Sequence, residues 1–116
     1  PGQADRHIGR AAADVLDRLD FVVVMTVNPG FAGQSLVPGA LRKIADCRRM
    51  LDESGRSILI QVDGNVSFAN VPAMVANGAD ILVCGSSSLF ASGSLRENAA
   101  RLRSAVADGL RARGKG

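Results

Sequence analysis

Three short apolar runs mark the predicted strands of this chain. The first begins at Phe21 and passes through three consecutive valines, and the others cover residues 58–62 and 80–84. The first run shows no polar alternation, which is typical of a strand buried on both faces in a parallel sheet covered by helices. We therefore predict three parallel strands, and we expect the first to be buried on both faces.

Residues with helical spacing precede the first strand and separate it from the second. Apolar residues recur at three- and four-residue steps over residues 4–19, and again between Pro38 and Gly55. Pro38 occupies a position where the first turn of a helix tolerates proline, and Gly55 is a typical end signal. The apolar stripe of this second helix consists of Leu41, Ile44, Cys47 and Leu51.

Two more helices are predicted in the second half of the chain. One covers residues 68–76, because Asn77 and Gly78 form a left-handed C-terminal signal. The last begins at a capping box formed by Ser94 and Glu97. Its apolar face carries Leu95, Ala99, Leu102 and Val106.

Helices and strands thus alternate in the order αβαβαβα. We predict an α/β fold with parallel strands in a single domain over residues 1–116, with residues 111–116 as a disordered tail. Three strands alone leave two edges of the sheet unpaired, so we expect a partner that covers them. The candidates are a missing N-terminal half of the same sheet and a second copy of this chain.

Each predicted strand runs into a loop of small residues at its C-terminal end. These loops begin at residues 28–30, 63–65 and 85–88. Small residues let main-chain N–H groups approach an anion closely. Three such loops at successive strand ends are the layout of the active face of a (β/α)8 barrel. An open, doubly wound sheet is the alternative, which the periodicity of the sequence does not exclude.

The phrases at residues 24–34, 62–64 and 78–86 resemble the C-terminal half of the ribulose-phosphate 3-epimerase family. The resemblance covers almost the whole chain. It implies half of a TIM (β/α)8 barrel, because a complete barrel needs roughly 200 residues or more and this chain has 116. It also implies an isomerase, a metal-dependent 3-epimerase of ketose phosphates. The substrates would be ribulose and xylulose 5-phosphate, or allulose and fructose 6-phosphate.

Asp63 carries the predicted chemistry. Its position after a strand and before a glycine suits a catalytic carboxylate and an Asx-turn residue alike. The resemblance implies that Asp63 is both a ligand of a divalent cation (zinc, iron, manganese or cobalt) and one of two opposed carboxylates. These move a proton at C3 through an enediolate. The second carboxylate and two histidine ligands have no counterpart here, since the only histidine, His7, is predicted on the polar side of a helix. We therefore expect the chain alone to be inactive.

The resemblance also implies a binding site for the phosphate group of the substrate. The matching residues come from all three loops: Gly30, Phe31, Ala32, Gly33, Gly64, Asn65, Gly85 and Ser86. The alternative explanation of these glycines is tight turns without a ligand. Met25 matches a methionine that lines the reaction centre of the family, while a buried methionine is also ordinary core filling.

Two positions depart from the usual family phrase. Asn65 stands where a second glycine is common, and Ala32 replaces a glycine in the first loop. Because asparagine tolerates a positive φ, we expect the turn at Asn65 to survive. The amino-acid sequences of residues 31–34 and 86–90 resemble the hexulose-phosphate branch of the family more than the pentulose-phosphate branch.

Composition and charge narrow the partners. The 47% hydrophobic and 3% aromatic content predict an aliphatic core. The net charge of +3 is concentrated in a basic tail without interleaved aromatic residues, so we predict no nucleic-acid partner. No segment reaches the roughly 18 apolar residues of a membrane span, which predicts no membrane partner. Cys47 and Cys84 lack metal-ligand spacing and favour a reducing, cytoplasmic environment as small apolar residues.

Two other functions stay open at this point. One is a phosphate-binding barrel synthase of the thiamin-phosphate or tryptophan-pathway type, which shares the last two loops but needs neither Asp63 nor the motif at residues 27–30. The other is a half-barrel without enzymatic activity, which only binds phosphate or pairs with another chain.

Overall fold

The computed structural model describes residues 21–27 and 35–114, where three strands alternate with three helices. The strands are β1 (Phe21–Met25), β2 (Leu59–Asp63) and β3 (Ile81–Val83), and the helices are α1 (Ala40–Glu53), α2 (Val71–Asn77) and α3 (Leu95–Ala112). The α/β fold is confirmed, and β2 and β3 lie within one residue of their predicted ends. The predicted helix over residues 4–19 lies outside the described residues.

The strands form a single parallel sheet in the order β1-β2-β3. The register places Met25 of β1 beside Asp63 of β2, and Asp63 beside Val83 of β3. These residues therefore form one row across the C-terminal ends of the strands.

The hydrophobic core lies between the helices and one face of the sheet. Ile60 and Val62 of β2 are fully buried against Ile44 and Leu51 of α1 and Met74 of α2. Helix α3 packs mainly on α2 and joins the same core. The core is aliphatic, as the composition predicted.

The opposite face of the sheet is exposed. Phe21, Val23, Met25, Leu59 and Val83 point to this side and keep between 39% and 48% of their surface accessible. The prediction that β1 is buried on both faces is therefore wrong. Only alternate residues of β1 contact the core, because no element among residues 21–27 and 35–114 packs on the other side.

Glycines set the ends of α1 and α2. Gly39 caps α1 in the left-handed region with φ 79°, Gly55 follows its last turn with φ 77°, and Gly78 ends α2 with φ 125°. The expectation that Pro38 lies in the first turn of a helix is wrong, because the helix begins only after Gly39.

Helix α3 begins at the predicted cap, where the backbone N–H of Glu97 donates to Ser94 Oγ at 3.0 Å. Leu95 is 57% exposed, so its assignment to the apolar face is wrong. The buried positions of α3 are Asn98, Ala105 and Gly109. None of the described helices, α3 included, is long and apolar enough to cross a membrane.

The last helix extends into the segment that the sequence analysis predicted as a disordered tail from Arg111 onward. Helix α3 continues to Ala112. The Arg113 guanidinium then folds back, donating to the carbonyl oxygen of Ala79 at 3.3 Å and lying 3.5 Å from Asp80 Oδ1. A specific ion pair thus orders a segment that composition alone marked as solvated.

Asp80 connects four elements at the N-terminal ends of the strands. Its carboxylate accepts from Arg48 Nη1 of α1 at 2.7 Å and from the backbone N–H of Ile60 in β2 at 2.9 Å, and it pairs with Arg113. The side chains of Arg48, Asp80 and Arg113 are only 15%, 21% and 16% exposed. Solvent therefore screens this network less than it screens an ordinary surface pair.

We predict that Asp80→Ala destabilises the fold by about 2–4 kcal/mol, because two partly buried guanidinium groups and one amide lose their common acceptor. Asp108→Ala is the matched control, since Asp108 pairs with Arg111 at an exposed site and should cost less than about 1 kcal/mol. Urea unfolding followed by circular dichroism measures both variants. Equal costs for the two would show that the Asp80 network has no special role.

Candidate functional site

The C-terminal ends of β1 and β2 bring two predicted site residues together. Met25 and Asp63 are partners in the parallel register. Partners on neighbouring strands point to the same side of a sheet, and successive residues point to opposite sides. Val62 is fully buried against the helices, so Asp63 and Met25 lie on the exposed face.

The Asp63 carboxylate forms no hydrogen bond or ion pair within residues 21–27 and 35–114. Asp63 is the last residue of β2 and is half-buried. Among the described residues, no donor contacts its side-chain oxygens, although its backbone carbonyl accepts from Thr26. An Asx-turn aspartate would accept from a backbone N–H two residues on. The structure therefore gives no support to the turn-forming role.

The turn after β2 depends on two residues with positive φ. Gly64 has φ 124°, and a Cβ there would lie 2.7 Å from Val27 Cγ2 and 2.8 Å from Thr26 Oγ1. Asn65 has φ 47°, and its carbonyl oxygen accepts from Asn70 Nδ2 at 3.0 Å. The prediction that Asn65 preserves the turn is confirmed, and Gly64 is required by the backbone itself.

The loop after β3 behaves differently. The backbone at Gly85 is not in the left-handed region, and a Cβ at this position would meet nothing within 4 Å. The Gly85 carbonyl oxygen accepts from the N–H groups of Ser88 at 3.2 Å and Phe90 at 3.0 Å, while Ser86 is exposed. The fold therefore uses the backbone of Gly85 but does not require a glycine there.

The remaining predicted phosphate-binding residues, Gly30, Phe31, Ala32 and Gly33, lie outside the described residues, as does His7. Their roles stay predictions. The structure accordingly places Met25, Asp63, Gly64 and Asn65 at adjoining strand ends, with Gly85 and Ser86 following the next strand.

Two buried hydroxyl groups near the site were not among the predicted site residues. Thr26, fully buried directly after β1, contacts the backbone of Asp63 and Gly64. Ser88 is fully buried in the loop after β3, and its Oγ is the one buried side-chain oxygen or nitrogen in the described part of the chain that lacks a hydrogen-bond partner. The sequence signal for Thr26 is a single polar residue within an apolar run.

A divalent cation would find only one ligand among these residues. No group of three or more His, Cys, Asp or Glu residues that could hold a metal occurs in residues 21–27 and 35–114. Segments 26–39, 64–70 and 84–94, which follow the three strands, contain no Asp, Glu or His. Protein metal sites need three or more ligands, so Asp63 fits as one ligand of a set that these residues do not complete.

The two cysteines serve as packing residues, as predicted. Cys47 and Cys84 are free, half-buried and in contact with the core. Burial raises the pKa of the Cys47 thiol, and the positive charge of Arg48 offsets only part of this rise. The thiolate that nucleophilic chemistry needs is therefore disfavoured at neutral pH.

The amino-acid sequence matches a known protein family and several of its members. The sequence model of the Ribulose-phosphate 3 epimerase family matches residues 7–90, a range that includes every predicted site residue. Similar proteins include the ribulose-phosphate 3-epimerases of Serratia marcescens, Escherichia coli (strain K12) and Bacillus subtilis (strain 168), which are 46%, 49% and 48% identical. The alignments cover 62% of this chain and 34%, 32% and 34% of the relatives. The chain thus spans about a third of the length of the curated relatives it matches.

We predict that Asn65→Ala destabilises the fold by about 1–2 kcal/mol, because alanine lacks the local hydrogen bonding that lets asparagine adopt a positive φ. Asn65→Gly is the matched variant and should leave the free energy of unfolding within about 0.5 kcal/mol, because glycine adopts this conformation freely. Thermal unfolding of both variants provides the measurement. A fully stable alanine variant would contradict the backbone explanation.

Proposed function

This chain belongs to the ribulose-phosphate 3-epimerase family, and from this premise we propose that it supplies the C-terminal part of a TIM (β/α)8 barrel isomerase. The parallel βα units of the described fold are consistent with such a partial barrel. The proposed reaction interconverts ribulose 5-phosphate and xylulose 5-phosphate. The names of the relatives favour a pentulose phosphate as the substrate over the hexulose phosphate that the sequences of residues 31–34 and 86–90 suggest. A longer protein would carry the activity, and the 116-residue chain alone would have none.

The free Asp63 carboxylate is the observation that carries this proposal. It stands at the C-terminal end of β2, on the face of the sheet that the helices leave open, without a donor among the described residues. Catalytic residues of barrel enzymes occupy this edge of the sheet. A side chain that has no structural task at such a position is available to a substrate.

The chemistry that we assign to Asp63 is proton transfer at C3 of the ketose phosphate. The carboxylate takes the proton from the carbon next to the ketone, which leaves an enediolate, or returns one to it. Inversion at C3 requires a second acid-base group on the opposite face, and we assign that group to a part of the protein outside this chain. A divalent cation, when bound, would stabilise the negative charge of the enediolate, with Asp63 as one ligand.

The phosphate group of the substrate is proposed to bind at the loops after β2 and β3. The loop after β2 contains Gly64 and Asn65, and the loop after β3 contains Gly85 and Ser86. The hydroxyl of Ser88, which has no hydrogen-bond partner among the described residues, adds a donor in the loop after β3. Loops after the last two strands of a barrel are the usual place for such an anion. Gly30, Phe31, Ala32 and Gly33 would contribute from the loop after β1.

The exposed face of the sheet supports a further part of the proposal, namely a covering partner. Five large apolar side chains on this face are 39–48% exposed, and β1 and β3 each have one edge unpaired within the described sheet. We propose that the N-terminal half of the barrel covers this face, with a second copy of the chain as the alternative. We also propose a reducing, cytoplasmic environment, since both cysteines are free.

Asp63→Asn in the full-length protein should lower kcat for ribulose 5-phosphate by about two to four orders of magnitude, the usual contribution of general acid-base catalysis. Asparagine keeps the size of the side chain but removes its charge and its capacity to carry the proton. Steady-state kinetics and bound-metal analysis provide the measurement. Asp46→Asn, at an exposed position of α1, is the control and should be fully active. Normal turnover and metal content in Asp63→Asn would contradict the role of Asp63.

Gly85→Ala should weaken the inhibition of the full-length enzyme by inorganic phosphate about tenfold, which corresponds to one lost hydrogen bond to a charged group. The added methyl group meets no protein atom within 4 Å, so the free energy of unfolding should not change. Ser92→Ala, an exposed substitution between β3 and α3, is the control. Unchanged phosphate inhibition in Gly85→Ala would argue against an anion site at this loop.

A further inference from the structure

We infer that Thr26 is a positioning residue for Asp63. Its buried amide and hydroxyl groups hold the backbone on the C-terminal side of Asp63. They thereby set the direction in which the Asp63 side chain projects from β2. This inference rests on the proposed function of Asp63. Thr26 is not one of the residues predicted to contact the substrate.

The contacts of Thr26 continue the pairing of β1 and β2 past the last paired residues, Met25 and Asp63. The Thr26 N–H donates to the Asp63 carbonyl oxygen at 2.9 Å. Its Oγ1 lies 3.1 Å from the same oxygen and also contacts the carbonyl oxygen of Gly64. A threonine hydroxyl has a single proton, so the two carbonyl groups share it and two successive peptide units are tied to one side chain.

Fixing the backbone here fixes the direction in which the Asp63 side chain leaves the strand. The N-terminal side of Asp63 is held by the sheet, where it pairs with Met25 on one side and Val83 on the other. The C-terminal side is held by Thr26. With both flanking peptide planes fixed, the Cα–Cβ bond of Asp63 has one direction, and only the side-chain rotamer is left to vary.

The shape of the turn supports the same conclusion. A Cβ on residue 64 would lie 2.8 Å from Thr26 Oγ1, closer than real Cβ atoms come. The Thr26 hydroxyl therefore occupies space that exists only because residue 64 is glycine. The Thr26 carbonyl oxygen in turn accepts from the N–H of Val37 at 2.8 Å, where the chain returns toward α1.

Thr26 acts through Asp63 rather than on the substrate. Its neighbour Met25 lies on the exposed face, whereas Thr26 itself is fully buried. A buried hydroxyl with two backbone acceptors is not available to a ligand. Residues that orient a metal-ligating side chain typically contribute 10- to 100-fold to metal affinity or activity, and we expect an effect of this size from Thr26 through Asp63.

The test compares Thr26→Val and Thr26→Ser in the full-length enzyme. Valine keeps the shape of the side chain and removes the hydroxyl, while serine keeps the hydroxyl and removes a buried methyl group. We expect kcat to fall about 10- to 100-fold in Thr26→Val with KM almost unchanged, and Thr26→Ser to retain most of kcat. Urea midpoints of both variants show whether stability changes separately from kcat. Equal kcat values for the two variants, or losses that simply follow stability, would overturn the inference.

Crystal structures of the wild-type and Thr26→Val proteins supply a readout that does not depend on activity. We expect the Asp63 carboxylate to be displaced or disordered in the variant while β1 and β2 stay paired. An unchanged position of the Asp63 carboxylate in Thr26→Val would overturn the positioning role, whatever the kcat of the variant. A wild-type protein without turnover of ribulose 5-phosphate would instead refute the proposed function. The position of the Asp63 carboxylate in Thr26→Val would still test whether Thr26 orients Asp63.

Discussion

The parallel register of β2 with its two neighbours is the constraint on which the site depends. It aligns Met25, Asp63 and Val83 in one row, although the three residues are far apart in sequence. Alternation along β2 directs Val62 into the core and Asp63 to the open face. A slip of one residue would exchange these two directions and bury a carboxylate among aliphatic side chains, which is costly without a partner. The burial of Ile60 and Val62 therefore determines where Asp63 points.

Asp63 and Asp80 show how position in the sheet decides what a carboxylate does. Asp80 lies at the N-terminal ends of the strands, where Arg48, Arg113 and the amide of Ile60 surround it. Asp63 lies at the opposite ends and meets no donor among the described residues. A carboxylate with three donors is held in one orientation, so it serves stability. This division follows the barrel rule that places stability at one end of the strands and chemistry at the other.

The local pattern of the sequence was sufficient to predict the strands, the parallel sheet and the position of Asp63 at a strand end. It was insufficient wherever burial depends on a distant element. Apolar spacing assigned Leu95 to the core, although α3 meets α2 through other residues. The position of Arg113 near the end of the chain gave no sign that it pairs with Asp80 across the fold. Thr26 was visible as a polar interruption of an apolar run, but only the register of the strands reveals which carbonyl groups it contacts.

Two glycines at neighbouring strand ends differ in whether the fold itself requires a glycine. A side chain at Gly64 would collide with Thr26 and Val27, and the backbone there has a positive φ. The turn alone explains this glycine, so it carries little information about a ligand. Gly85 has neither constraint, and its presence needs another reason, such as the close approach of an anion to the main chain. The proposal of a phosphate site therefore rests more on Gly85 than on Gly64, although the resemblance to the family gave both residues the same role.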